Sequence, residues 1–308
     1  MVCRRLQSHE LPECLNVKPE HLGHEIVGRE KAVTLWAELA KNKAFNAVVI
    51  ECNPPISGHG IVGFGATVFV TREFAQQEMN RPEPYLNARL LDAVERGQSP
   101  VLTEAGIAAC NRGDGLDLLL LRGGWLEDIL NQEQAMEAAT LLAAAFGTVH
   151  AGYRMRRILY EVVSDHQRKF LATSGVWRLL AEFKNTTRAL FTMTREDAFA
   201  ISGSLAAPVF QYTEPILQLR PQDQELLLAA LDNSTDEELA VKLDLTIPGV
   251  KKRWTALFDR IAQNQRELLP NPGHSDGTAR GKQKRHHLLT YVRAHPEELR
   301  PYQWEGSE

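Results

Sequence analysis

Thr246, Lys251, Lys252, Arg253 and Thr255 place three cations and two hydroxyls in one short stretch, a set able to hold a polyanion. Lysine and arginine can donate to guanine edges or to phosphates; the first contact reads sequence and the second only positions. A second basic group, Lys282, Lys284 and Arg285, could add phosphate contacts. Trp125 with His150, Tyr153 and Arg154 offers aromatic and polar groups for a small-molecule pocket, or alternatively a hydrogen-bonded helix end. His21, His24 and Glu25 have ligand-type side chains, but no third convincing ligand is local, so the histidines are read as an exposed pair and no metal is expected. Ser164, Asp165 and His166 are adjacent, whereas catalytic triads are assembled from separated positions; they are read as a helix cap, and no catalytic residue is expected.

Helices must position the first set. Val250, Trp254, Leu257, Phe258 and Ile261 recur at helical spacing as an apolar stripe, with Lys251, Lys252, Thr255 and Asp259 on other faces. Thr246 is a suitable N-cap and Pro248 is tolerated in a first turn, so the helix spans about 247–262. Before it, Thr235 and Glu238 form a capping-box pattern ahead of Leu239, Ala240 and Leu243. Asp244, Leu245 and Thr246 leave room for a tight corner, and Pro221 to about Leu231 supplies a third helix.

This segment resembles the DNA-binding domain of LuxR/FixJ/NarL-type regulators. The resemblance rests on Leu219 and Pro221, then Glu225, Leu226 and Leu227, then Thr235, Glu238, Leu239, Ala240 and Leu243, then Thr246, Val250 and Lys251. It implies double-stranded DNA as partner, with Lys251, Lys252 and Thr255 in the major groove and Thr246 and Arg253 on the backbone. It also implies a homodimer. Arg220 stands where the family has Thr, Asn233 where it has Gly, Arg253 where it has His, and no fourth helix follows Ile261 directly. The tail helix led by Lys282, Lys284 and Arg285 has an apolar side, Leu288, Leu289 and Val292. It either packs back on the preceding helices or pairs with a second subunit.

The chain has 308 residues, enough for two cores. Lys and Arg number 35 against 39 Asp and Glu, yet from Thr246 to Arg300 eleven basic residues face five acidic ones. Cys3, Cys14, Cys52 and Cys110 lie far apart without a C-x-x-C pair, which suits neither a zinc site nor a disulfide framework. Met1 to Cys14 has no apolar run after its arginines, and Ala138 to Val149 is too short to span a bilayer. A cytoplasmic protein without membrane contact is expected.

The N-terminal part reads as α+β with a mixed sheet. Strands are expected at Phe45 to Glu51, Gly60 to Val70, Leu116 to Leu121, Arg157 to Val163 and Thr187 to Met193, the third of them central because it is wholly apolar from Leu118. Helices are expected at Arg29 to Asn42, Thr71 to Asn80, Pro84 to Arg96, Thr103 to Asn111, Gln132 to Phe146 and Ser164 to Thr173. The order is similar to GNAT-like acetyltransferase folds and to PAS or GAF sensory domains. The acetyltransferase pyrophosphate loop is missing after Leu121, where the chain reads Arg122, Gly123, Gly124, Trp125, which counts against an active acetyl-CoA enzyme. Gly58, Gly60 and Gly63 spell G-x-G-x-x-G, but prolines precede them and a β run follows, so no nucleotide is expected there.

These readings give a sensory, ligand or interaction domain over 1–201, a linker over 202–218, a helix-turn-helix domain over 219–262 and a loop with a basic helix over 263–308. The expected function is a transcriptional regulator that is not an enzyme and needs no cofactor, with a small-molecule ligand on its first domain. The alternative is an acyltransferase-like enzyme domain joined to a nucleic-acid-binding tail.

Overall fold

The computed structural model describes residues 1–17, 19–204, 206–231, 234–268 and 277–304. The chain divides into two units, Met1–Gln211 and Tyr212–Glu308. Among the described residues no helix is long and apolar enough to cross a membrane.

The first unit is an α/β domain built on a seven-stranded mixed sheet: β1 (Val2–Arg5), β2 (Phe45–Ile56), β3 (His59–Val70), β4 (Leu116–Trp125), β5 (Met155–Val162), β6 (Arg178–Glu182) and β7 (Ala189–Thr194), in the spatial order β1-β2-β3-β4-β5-β7-β6. All neighbours are antiparallel except β4 and β5. A parallel pair needs a crossover, and the helix Gln132–His150 lies in that connection. β2 and β3 form a hairpin whose tip, Ser57 and Gly58, has positive φ at both positions, as a two-residue turn of matching twist requires.

The centre of the sheet is covered on both faces. Leu116, Leu118, Leu119 and Leu121 of β4 are buried, the composition of a strand with no solvent side. Trp36, from the helix Arg29–Leu39, packs at 6.4 Å from the Phe64 ring of β3. On the other face, Gly65 leaves room for Leu142 of the crossover helix; an added Cβ would stand 3.2 Å from Cδ2 of Leu142. At the end of that helix His150 is buried, with Nδ1 bonded to the Phe146 carbonyl and Nε2 to the Thr67 hydroxyl. A carbonyl can only accept, so Nδ1 carries the proton and Nε2 accepts from Thr67.

The structure departs from the sequence reading at the sheet edges and in the reach of β2. The edge strands β1 and β6 were not among the expected strands; both are short, and β6 carries an irregularity between Leu179 and Ala181. β2 runs on through Pro54 and Pro55 to Ile56. The three spaced glycines lie in the β2–β3 hairpin, with strand on both sides. The segment 202–218, expected as a linker, holds the boundary between the units after Gln211; it contains the helix Ala207–Phe210, whose Val209 and Phe210 enter the first core, while Leu217 enters the second. Apolar side chains at both ends leave little of it uncommitted.

The second unit is helical: Pro221–Ala230, Asp236–Lys242, Ile247–Asn264 and Gly277–Ala294 surround one core that includes Leu226, Leu239, Val250, Trp254, Leu288 and Val292. Thr235 and Glu238 make the reciprocal capping box, and the Thr246 hydroxyl accepts from the Gly249 amide. The tail helix therefore packs back on the preceding helices. Glu298 ends the chain's return: its buried carboxylate accepts the amides of Ile216 at 2.8 Å and Leu217 at 3.0 Å. Asn233 and residues 269–276 lie outside the described residues, as does the Lys282 side chain.

Candidate functional site

The chemistry-bearing part of the first unit is the junction of β4 and β5. Their parallel ladder runs from Leu116↔Met155 to Leu120↔Tyr160 and ends there. β4 nevertheless stays paired with β3 as far as Trp125↔Gly63. Between the pairs Thr67↔Leu120 and Ala66↔Arg122 the register shifts, so Leu121 is an extra residue, a β-bulge. A bulge bends its strand and raises the local twist, which accounts for β4 leaving β5 at that point. Beyond Leu120 and Tyr160 the two strands are no longer paired with each other, and this parting of the ladder is the gap.

Three segments converge on it. Asn87, in the first turn of the helix Leu86–Glu95, donates its Nδ2 to the Leu121 carbonyl at 2.6 Å and to the His21 carbonyl at 3.0 Å. Glu161 of β5 accepts the Tyr85 amide at 2.7 Å and the Leu86 amide at 3.0 Å, holding the same helix start against the gap. The strap before Gly23 crosses it: Trp36 Nε1 donates to the Leu22 carbonyl at 2.8 Å, Arg122 reaches the Leu15 carbonyl at 3.5 Å, and the His21 ring stacks on Tyr160 with centroids 6.5 Å apart. Gly23 has φ +74°, and a Cβ there would meet Asn87 and Ala88 backbone at 2.9 Å, so only glycine allows this approach.

The electrostatics follow from burial. Glu161 is 5% exposed. Burial pushes its carboxyl above the usual range, opposed by Arg188 and by the two backbone amides. Arg188 donates to Glu161 at 3.0 Å and to Glu25 at 2.6 Å, and its guanidinium lies 4.5 Å from the Tyr85 ring centroid. Arg122 is 1% exposed, over the Phe64 ring, and burial draws its pKa down to about 10. The Tyr160 hydroxyl is pushed upward by burial, so it stays protonated and can donate. Burial likewise lifts the Cys14 thiol to about 12, leaving it an inert core group.

The residues expected to share a ligand pocket do not meet as a set. Tyr153 packs on Phe69 with centroids 4.8 Å apart, and Arg154 donates to the Arg112 carbonyl. Both lie where β4 begins, since the Leu116 amide donates to the Arg154 carbonyl. Trp125 is the last residue of β4, nine residues on and roughly 30 Å away at the rise of a strand. His150 and Tyr153 form the hydrogen-bonded, ring-packed end of a helix. His21 is 2% exposed, which corrects its reading as part of an exposed pair. Ser164 does cap its helix, accepting the Gln167 amide at 3.3 Å. Among the described residues no cluster of three or more His, Cys, Asp or Glu could hold a metal ion.

In the second unit Lys251 and Lys252 are exposed and Thr255 donates to the Lys251 carbonyl, so that hydroxyl is already engaged within its helix. Arg253 is half-buried. Arg285 lies over the Trp254 ring at 4.4 Å and 2.9 Å from Asp236, an ion pair without hydrogen-bond alignment. Lys284 lies 5.9 Å from the Phe258 ring centroid. Both cations thus lie beside aromatic rings of the helix Ile247–Asn264 and are half-buried. The sequence reading missed Asn87, Glu161 and Arg188 altogether. Each looks like an ordinary surface polar residue until the fold brings it to the gap.

No protein-family profile matches the chain, and no curated protein matches it. Solved structures do match. FeeM, an N-acyl amino acid synthase from uncultured soil microbes, is 9% identical over 63% of this chain and 89% of its own, with a TM-score of 0.37. Mosquito arylalkylamine N-acetyltransferase like 5b is 11% identical over 63% of this chain and 99% of its own, TM-score 0.37. Arabidopsis thaliana NAA60, solved in complex with acetyl-CoA, is 10% identical over 63% of this chain and 97% of its own, TM-score 0.37. These findings correct the expectation of a LuxR/FixJ/NarL-type transcriptional regulator with DNA as partner and no enzymatic activity: no family profile supports it, and the matching solved structures include an N-acyl amino acid synthase and an N-acetyltransferase. There is a physical reason for the error. Thr235, Glu238, Leu239, Thr246 and Val250, which carried the resemblance, are capping and core residues; they specify helix ends and packing, which helical domains of any function need.

Proposed function

We propose that the first unit is an acyltransferase whose donor, a thioester on an extended amide-bearing arm such as that of coenzyme A, enters the gap between β4 and β5. One observation carries the reading: the two strands of the parallel pair part at the Leu121 bulge while β4 remains held by β3. Open α/β sheets bind ligands beyond the carboxyl ends of parallel strands, and a strand that has lost its neighbour offers backbone groups to an extended ligand. Arg122 and Gly123 lie within β4, so no glycine-rich loop follows it to cradle a diphosphate. Recognition then falls on the arm.

In the reaction, an amine nitrogen attacks the thioester carbonyl, the C–N bond forms, the C–S bond breaks and the thiolate leaves. Tyr160, on β5 where the ladder with β4 ends, is the hydroxyl placed to return a proton to the thiolate sulfur. His21, stacked on it, is the group to take the proton from the attacking nitrogen. The test is equilibrium binding of acetyl-CoA and longer acyl-CoA thioesters to the full chain, followed by amine-dependent release of free thiol. Binding that is retained when acyl-pantetheine replaces acyl-CoA supports the reading. Absence of binding by every thioester at millimolar concentration refutes it.

A further inference from the structure

The gap is not empty. The Asn87 carboxamide donates to the carbonyl of the bulge residue, Leu121, at 2.6 Å, and to the His21 carbonyl at 3.0 Å, and it is 8% exposed. A primary carboxamide has the same donor geometry as a peptide N–H, so Asn87 makes at Leu121 the bond that an amide of an extended ligand would make. Its position is enforced from both sides. Glu161 takes the two amides that begin its helix, Arg188 braces Glu161, and Tyr85, which precedes that helix, is held at φ +69°. Gly23 presses from the strap, with no space for a side chain beside Asn87.

Resting on the acyltransferase reading, we propose that Asn87 is the specificity-determining residue of the donor site: its carboxamide stands in for an amide of the donor arm, and the donor binds by exchanging with it at the Leu121 carbonyl. The site therefore selects ligands that carry a secondary amide and rejects thioesters without one. Only a ligand able to replace the displaced hydrogen bond keeps the buried Leu121 carbonyl satisfied; the others leave it bare.

The experiment measures the affinity of the full chain and its Asn87→Ala variant for two probes, butyryl-CoA and the butyryl thioester of a simple alkyl thiol that lacks amides. Loss of the carboxamide removes the competitor, so butyryl-CoA is expected to bind Asn87→Ala roughly ten-fold more tightly than the parent, the size of one exchanged hydrogen bond. The amide-free thioester is expected to stay weak in both proteins. Equal affinity of parent and variant for butyryl-CoA overturns the proposal while leaving the acyltransferase reading intact. No thioester binding by either protein overturns both. Should Asn87→Ala lose its fold, Asn87→Leu keeps the size, has no donor and gives the same comparison. Tighter binding by Asn87→Leu supports exchange at Leu121, and unchanged binding opposes it.

Discussion

Replacing Arg188 by alanine tests how the gap is held. Arg188 is 13% exposed at its side chain and lies 3.0 Å from Glu161, whose side chain is 4% exposed. Removing one partner of a buried pair leaves the other charge without compensation and costs about 3 to 5 kcal/mol. The two backbone amides of Tyr85 and Leu86 remain on Glu161, so the lower end, about 3 kcal/mol, is the expected cost. The cost should fall on the start of the helix Leu86–Glu95, because Glu161 is what fastens it. Hydrogen exchange followed by mass spectrometry reads this locally: amides of that helix should exchange about a hundred-fold faster in Arg188→Ala. The pH dependence has a definite sign. Burial raises the Glu161 pKa in the folded protein, and losing the cation raises it further. A carboxyl raised in this way favours the folded state below its unfolded pKa, and that advantage is lost as pH rises through the folded pKa. The deficit of the variant should therefore deepen from acid toward neutral pH. A helix start that exchanges at the parent rate at neutral pH, or a deficit that shrinks as pH rises, would refute this reasoning.

Other perturbations give separate outcomes. Arg285→Ala removes the contact with Trp254 and the pairing with Asp236, and should destabilise the second unit by about 1 to 2 kcal/mol in a denaturation followed by tryptophan emission; an unchanged midpoint would mean the guanidinium is only solvated. His150→Leu strands the Thr67 hydroxyl beside an apolar side chain and should cost about 2 kcal/mol by urea denaturation, a loss that Thr67→Val in the same chain partly restores. Alkylation with iodoacetamide at mild alkaline pH should label Cys3 and Cys110, which are half-buried, before Cys14, whose thiol is fully buried and pushed to about 12. Peptide mass mapping gives the order, and early labelling of Cys14 would contradict its place in the core.

Much of the fold was legible in local signals. Thr71, Thr103, Ser164, Thr235 and Thr246 each cap the helix they precede, because a cap is settled by the residue and the three that follow it. The apolar run Leu118 to Leu121 announced a central strand for a similar reason. The edges were hidden, since β1 and β6 are short and bury little. The gap was hidden for a different reason. Asn87, Leu121 and Glu161 come from a helix, a bulge and a strand far apart in the chain, and nothing in their own neighbourhoods marks them. Conversely, Trp125 with His150, Tyr153 and Arg154 read as a pocket, or alternatively as a hydrogen-bonded helix end, from residue type and the end of an apolar helix beside a strand. A strand of ten residues separates its ends by its full length. The helical segment from Leu219 to Ile261 shows the opposite hazard: strong caps and a regular core specify a shape so clearly that the shape is taken for a function.

The most direct measurement is a hydrogen-exchange footprint of the full chain with and without a saturating acyl-CoA thioester. Donor seated in the gap should slow exchange at Gly123, Gly124 and Trp125 while releasing the first turn of the helix Leu86–Glu95, where Asn87 gives up its bond. Unchanged exchange in both segments, or protection confined to other parts of the chain, would contradict an acyl-donor site between β4 and β5.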